Sequence, residues 1–442
     1  MVWMSNSRPV WSSLLCWLVL TIAAHGQGLP QIDPATVGLS AERLMEIETM
    51  AHGYVDSGAM PGVLTMVVRH GRVADVRIVG YRHLETGEPL EIDTIFRIYS
   101  MTKPVTGVAI LQLVEAGRLR LSDPVAKYLP ELAELEVWVS GPVGAPTFEA
   151  ARPMTIEHLL TQTSGLTYDD ESIDGLPTLY AAADLYTGPD LAAFVTKLAR
   201  LPLASQPGTR WEYSVSMDVL GRVVEVVSGE QLDTYMQDQI FGPLGMVDTG
   251  FSVPKNKVPR FAALYSKTDD GGMKRIERPE ENEYLASRPV PFGGSGLVST
   301  ASDYARFASM LANGGELDGA RILPEKSVAL MMQDHLGFEY GPHPLASSWL
   351  GESARGLGFG LTGAVVRDGE ANGVPGSTGA FFWGGAASTF FWVDREKGLV
   401  GLQFTQLMPS DAYPIRREMR QLTYNAIVDT LSSEAEERSP RE

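Results

Sequence analysis

A serine hydroxyl is a weak nucleophile at neutral pH, and an amine placed to take its proton makes it a useful one. The 442-residue chain brings the two types together in Ile98-Tyr99-Ser100-Met101-Thr102-Lys103-Pro104, where an apolar run ends and a helical pattern begins. If Ser100 opens that helix, Lys103 lies three residues on and on the same face, so its amine can reach the hydroxyl. The helix N-terminus adds backbone N–H groups and positive potential where an oxyanion would form. To accept a proton Lys103 has to be neutral, a form that burial and neighbouring positive charge would favour. Activity is therefore expected to rise with pH through the neutral range.

A Ser-x-x-Lys tetrapeptide arises by chance about once in a chain of this make-up, and a second one stands at Ser252-Val253-Pro254-Lys255. Pro254 pushes Val253 toward extended backbone, and the stretch down to Pro259 reads as loop, so Ser252 and Lys255 do not share a helical face. Two other stretches extend the Ser100 pattern. Pro207-Gly208-Thr209-Arg210-Trp211-Glu212-Tyr213-Ser214-Val215 puts an aromatic hydroxyl, Tyr213, in a loop ahead of a helix. Phe382-Trp383-Gly384-Gly385-Ala386 is a strand whose paired glycines, Gly384 and Gly385, leave backbone open to a ligand. Taken singly, a loop tyrosine and a strand tryptophan are ordinary packing residues. Their order and spacing after Ser100 make them a constellation. The nucleophile motif of another hydrolase class, Gly-x-Ser-x-Gly, does not occur; Gly294-Ser295-Gly296 comes nearest and Leu297 breaks it.

Composition narrows the partners. A net charge of -18 argues against nucleic acid or an anionic membrane surface and favours a soluble monomer. Cys16 is the only cysteine, and the seven histidines show no metal spacing, so no disulfide, metal or cofactor is expected. Residues 1–26 read as a signal peptide. Arg8 is followed by an apolar run from Val10 to Ala24 that is too short for a stable membrane anchor, and Ala24-His25-Gly26 ends it with small residues. Cleavage before Gln27 and a periplasmic or secreted protein are the expectations.

The elements that must position these residues follow from periodicity. Ala41 to Tyr54 carries Leu44, Ile47 and Ala51 at helical spacing behind a capping Ser40. Val63 to Val68 and Val73 to Val79 form a hairpin through His70-Gly71-Arg72. The Ser100 helix ends near Gly117, and the chain is then mostly helical down to about Asp334. Strand-like stretches return at Leu357 to Val366, Gly379 to Trp383, Ala387 to Val393 and Leu399 to Gln406, before an amphipathic helix from Ile415 to Leu431. Two long connections, Val137 to Pro153 and Tyr168 to Pro189, either border a cleft or are plain excursions. The expected fold is α+β: an antiparallel sheet flanked by the N- and C-terminal helices, with a mostly helical lobe inserted. Residues 27–98 and 311–442 would build the α/β domain and 99–310 the helical one, with the site between them.

On these motifs the sequence resembles the serine β-lactamase and penicillin-binding-protein superfamily, and within it the family VIII carboxylesterases, close relatives of class C β-lactamases. The resemblance runs from about Ile32 to Leu431 and takes in His158 to Leu166, Phe241 to Met246 and Gly294 to Thr300, with Gln162 where relatives often carry His. It implies Ser100 as nucleophile, Lys103 as its base, Tyr213 as a partner in proton transfer, and the backbone N–H groups of Ser100 and Ala386 as the oxyanion hole. Where β-lactamases carry Lys-Thr-Gly this chain has Trp383-Gly384-Gly385, and where their second motif ends in Asn it has Val215. An apolar wall at Trp383 in place of a cation implies uncharged, short-chain esters as substrates. A β-lactamase, a DD-peptidase-like enzyme or an acyltransferase using the same acyl-enzyme are the alternatives; a non-catalytic binding protein would have lost Ser100, Lys103 or Tyr213.

Overall fold

In the computed structural model, residues 28–140, 147–168, 175–286, 290–336 and 354–428 are described; the leader-like segment 1–26 lies outside them. Eight strands form one antiparallel sheet in the order Leu357–Phe359, Ala364–Val366, Phe381–Gly384, Phe390–Asp394, Leu399–Phe404, Gly62–Arg69, Arg72–His83, Glu88–Pro89. The N-terminal hairpin thus completes a sheet begun by the C-terminal strands, with Leu64 opposite Phe404. Every residue of Gly62–Arg69 is buried, as expected of a central strand covered on both faces.

Those faces are covered by helices with one apolar side. Ala41–Asp56 is capped by Ser40, whose hydroxyl accepts from the Arg43 N–H at 3.3 Å, and it buries Leu44, Ile47 and Ala51 completely. It packs beside the C-terminal helix Ile415–Asn425. From that helix Arg420 stacks on Phe382, and the Tyr424 hydroxyl donates to Asp394 at 2.9 Å. The helix Ala301–Ala312 contacts the same strands from the other side, with Tyr304 against Phe391. Alternation along Phe390–Asp394 places Phe391 and Asp394 on opposite faces.

The helical part is centred on Thr102–Glu115, which is buried on nearly every side and packs against Ser216–Ser228. A helix apolar all round belongs inside a protein, and this one joins the sheet to the helical layer. The stretch Val137 to Pro153 is not a plain loop. Glu136–Ser140 and Thr147–Ala150 pair as a hairpin, closed by an edge contact of Trp138 with Phe148. Tyr168 to Pro189 likewise contains the helix Leu176–Ala182. No described helix is long and apolar enough to cross a membrane.

Candidate active site

Ser100 sits in a single 3-10 turn, Tyr99–Met101, that runs straight into the buried helix Thr102–Glu115. The α-helix begins just past the serine rather than at it, yet the i, i+3 relation survives. Lys103 Nζ lies 3.1 Å from Ser100 Oγ. Tyr99, immediately before, has φ +41°, a left-handed conformation that costs a non-glycine residue on the order of 1–2 kcal/mol. The surroundings hold it there. Ile98 donates its N–H to Leu297 O at 3.1 Å, and Gly385 lies so close that a Cβ on it would stand 2.3 Å from the Ile98 carbonyl oxygen.

Lys103 is fully buried, and its amine is directed by three oxygens. Besides Ser100 it donates to Gly294 O at 2.8 Å and to the Tyr168 hydroxyl at 3.2 Å. The Tyr213 hydroxyl donates to Ser100 Oγ at 2.7 Å, and its ring lies 4.6 Å from Lys103 Nζ. Ser100, Lys103 and Tyr213, 113 residues apart at their extremes, therefore meet at one oxygen.

Gln162 explains why Tyr213 points there. Its carbonyl accepts the Glu212 N–H at 2.7 Å, while its side-chain Oε1 accepts the Ser214 N–H at 3.0 Å and the Ser214 hydroxyl at 2.8 Å. The residues on both sides of Tyr213 are thus pinned by one buried amide, itself at φ +56°. Trp211 stacks on Tyr213 at 6.2 Å and 14°, and Trp383 tilts against it at 5.5 Å. Phe359 meets both tryptophans edge-on.

Ser100 opens into a shallow, narrow hollow walled by Tyr213, Trp383, Gly384, Gly385, Ala386, Ser410 and Arg416. Five of the residues singled out from the sequence are thereby brought around the serine. Val215 is not among them. It is 1% exposed, packs into the core and forms the N-terminal boundary of Ser216–Ser228.

Periodicity and motif order did not single out Tyr168 or Asp218. Tyr168 opens the connection read as a cleft border and turns its hydroxyl onto Lys103. Asp218 is fully buried on the helix after Tyr213, and its Oδ1 accepts the Gly294 N–H at 2.8 Å. Gly294 therefore bridges the two buried ionisable groups, giving its N–H to Asp218 and taking the Lys103 amine on its carbonyl. A Cβ at Gly294 would stand 2.8 Å from the carboxylate, which is why this position has none. Burial pushes the Asp218 carboxyl up to about 6, against the opposing pull of Lys103 and of the Gly294 N–H. The charge facing the amine is thus a carboxylate, opposite in sign to the expected cation. Among the described residues no cluster of His, Cys, Asp or Glu is arranged to hold a metal ion.

A model of the Beta-lactamase family matches residues 47–425. Esterase EstB of Burkholderia gladioli is 31% identical over 395 residues, 85% of this chain and 93% of that protein. Protein Rv1367c of Mycobacterium tuberculosis is 37% identical over 362 residues, covering 80% of this chain and 88% of its own. Among solved structures, EstCE1, described as a hydrolase with promiscuous acyltransferase activity, superposes with a TM-score of 0.72 at 26% identity, covering 88% of this chain and 98% of that one.

Proposed function

The chain belongs to the β-lactamase family, and on that premise we propose that it is a serine hydrolase cleaving carboxylic esters through an acyl-enzyme on Ser100. The observation that carries this reading is the position of Ser100 Oγ, 3.1 Å from a buried amine and 2.7 Å from a phenol, at the floor of a hollow walled by Trp383. Ser100 attacks the ester carbonyl, its proton passes to the Lys103–Tyr213 pair, and the carbonyl electrons move onto oxygen facing the N–H groups of Ser100 and Ala386. The tetrahedral species collapses as the alkoxide takes a proton from the same pair and leaves as alcohol. Water then repeats the sequence on the acyl-serine.

The walls bear on substrate. Trp383 presents an aromatic surface where a cation would be needed to draw in a carboxylate, which favours uncharged esters over β-lactams. The narrowness of the hollow beside Trp383 favours short acyl groups. The similarity to a hydrolase with promiscuous acyltransferase activity supports a second outcome, in which an alcohol replaces water on the same acyl-enzyme. Initial rates on p-nitrophenyl butyrate, p-nitrophenyl laurate and a chromogenic cephalosporin, with Ser100→Ala alongside, test the reading. Butyrate is expected to turn over fastest and only with Ser100 present. Efficient cephalosporin turnover, or ester cleavage that survives Ser100→Ala, would overturn it.

A further inference from the structure

The Trp383-Gly384-Gly385-Ala386 turn is gripped from behind by a residue of the C-terminal helix. Arg416 is 4% exposed, and its Nη2 donates to Gly385 O at 2.6 Å and to Thr389 O at 3.1 Å. The Gly385 carbonyl also accepts the Ser388 N–H at 3.1 Å, closing the turn between the strands Phe381–Gly384 and Phe390–Asp394. A peptide unit is planar and trans, so the carbonyl of Gly385 and the N–H of Ala386 point in opposite directions from the same plane. Holding one aims the other. A cationic donor on the carbonyl also polarises the amide and strengthens its N–H as a donor.

We propose that Arg416 is a positioning residue for the oxyanion hole, fixing and polarising the Gly385–Ala386 peptide so that the Ala386 N–H faces the oxygen on which charge develops. This rests on the acyl-enzyme chemistry proposed above. The two glycines then have distinct physical reasons. A Cβ at Gly385 would collide with Ile98 O and Thr389 Oγ1, both at 2.3 Å. A Cβ at Gly384 would stand 2.8 Å from the Arg416 guanidinium carbon and displace it. Gly384 is therefore the opening through which Arg416 reaches the turn. Arg416 also borders the hollow beside Ser100, so its positive charge is close to the site where the oxyanion forms.

The test compares the full chain with Arg416→Met, Arg416→Lys, Gly384→Ala and the Gly384→Ala/Arg416→Met double variant. Three quantities are read: kcat and KM on p-nitrophenyl butyrate, the rate at which a fluorophosphonate labels Ser100, and Tm. In labelling, Ser100 Oγ bonds to phosphorus, fluoride leaves with the bonding pair, and the serine proton goes to the Lys103–Tyr213 pair. The phosphoryl oxygen occupies the same hole, so this rate reports the hole without ester turnover. Arg416→Met is expected to lower kcat and the labelling rate together by about tenfold with KM within about twofold, a fraction of the loss from deleting an oxyanion donor outright. Arg416→Lys, which keeps the charge without the planar fork, is expected between it and wild type. Gly384→Ala is expected to match Arg416→Met, and the double variant to be no slower than either single one, because both remove the same contact.

A labelling rate unchanged in a folded Arg416→Met protein, a rise in KM alone, or multiplicative losses in the double variant would overturn the proposal. If Arg416→Met does not fold, wild-type rates in Arg416→Lys do the same. A wild-type protein labelled at Ser100 yet inactive on esters would remove the esterase reading and leave the labelling ratio to decide Arg416. A wild-type protein neither labelled nor active would remove both.

Discussion

Ser100 and Ser252 each stand three residues before a lysine, and the fold treats the two pairs in opposite ways. Ser100 lies at the mouth of a helix buried on nearly every side, and Lys103 is sealed behind it with its amine hydrogen-bonded to the serine. Ser252 and Lys255 are both exposed, with Pro254 in extended backbone between them capping a short 3-10 segment, Lys255–Arg260, that contains Pro259. In water an ammonium is well solvated and its side chain free to wander. In the interior it can satisfy itself only through the few oxygens the fold offers. Spacing supplies the geometry of a pair, and burial in a continuous helix gives that geometry chemical consequence.

The hardest way to break this comparison is to remove each lysine. Lys103→Met should lower kcat/KM for p-nitrophenyl butyrate by roughly 10³–10⁴, the scale of losing proton transfer together with the orientation of the nucleophile. Lys255→Met should leave it within about twofold, since nothing about an exposed residue of that segment reaches the hollow. Steady-state rates on the two variants check both. Comparable losses at the two sites would mean that burial is not what distinguishes them.

A sharper contrast lies within the site, between two tyrosines that both approach the Ser100–Lys103 pair. Tyr213 reaches the serine oxygen itself, whereas Tyr168 reaches only the lysine. Tyr213→Phe is expected to cost roughly 10²–10³ in kcat, and Tyr168→Phe about tenfold or less, because the first removes a proton donor from the reacting atom and the second one of three partners of the amine. Pre-steady-state acylation rates separate the two. Equal losses would make the tyrosines equivalent members of one relay.

What the sequence made legible divides along the same line. Ser100, Lys103, Tyr213 and Trp383-Gly384-Gly385-Ala386 could be found because each sits in a short stretch with its own local logic: a helix start, a loop before a helix, a glycine-paired strand. The antiparallel sheet and its two covering helices were legible from period-2 and period-3.6 patterns. Tyr168, Asp218 and Arg416 were not, because their meaning comes from what the fold places opposite them. Asp218 reads as an ordinary polar position until Gly294, 76 residues on, is threaded past it, and Arg416 reads as the wet side of an amphipathic helix. The hairpin Glu136–Ser140/Thr147–Ala150 was hidden for a different reason. Strands this short, around a Gly/Pro-rich centre, give too few alternations to show a period. Val215 goes the opposite way: the motif put it at the site, and the fold buries it in the core away from the hollow.

The smallest effect expected is thermodynamic, and it sharpens the comparison by asking what enclosing a charge costs. Asp218 is buried in the same interior that seals Lys103, with Tyr168 and Tyr186 among its other titratable neighbours. Its carboxyl is raised from 3.8 to about 6 chiefly by burial, so the folded state favours the neutral acid more than the unfolded chain does. The stability this contributes is complete below the unfolded value and is lost as pH climbs through about 6. Asparagine mimics the neutral acid and does not titrate. The stability of wild type relative to Asp218→Asn should therefore fall by on the order of 2–3 kcal/mol between pH 3.5 and 7, whatever constant offset the substitution introduces. Asp303, also raised to about 6 by burial, is present in both proteins and cancels in the difference. Urea unfolding of the two proteins at a series of pH values gives the curve directly. Parallel stability curves would mean that Asp218 keeps its charge at no cost in the interior, and that burial is not what separates the Ser100 pair from its exposed counterpart.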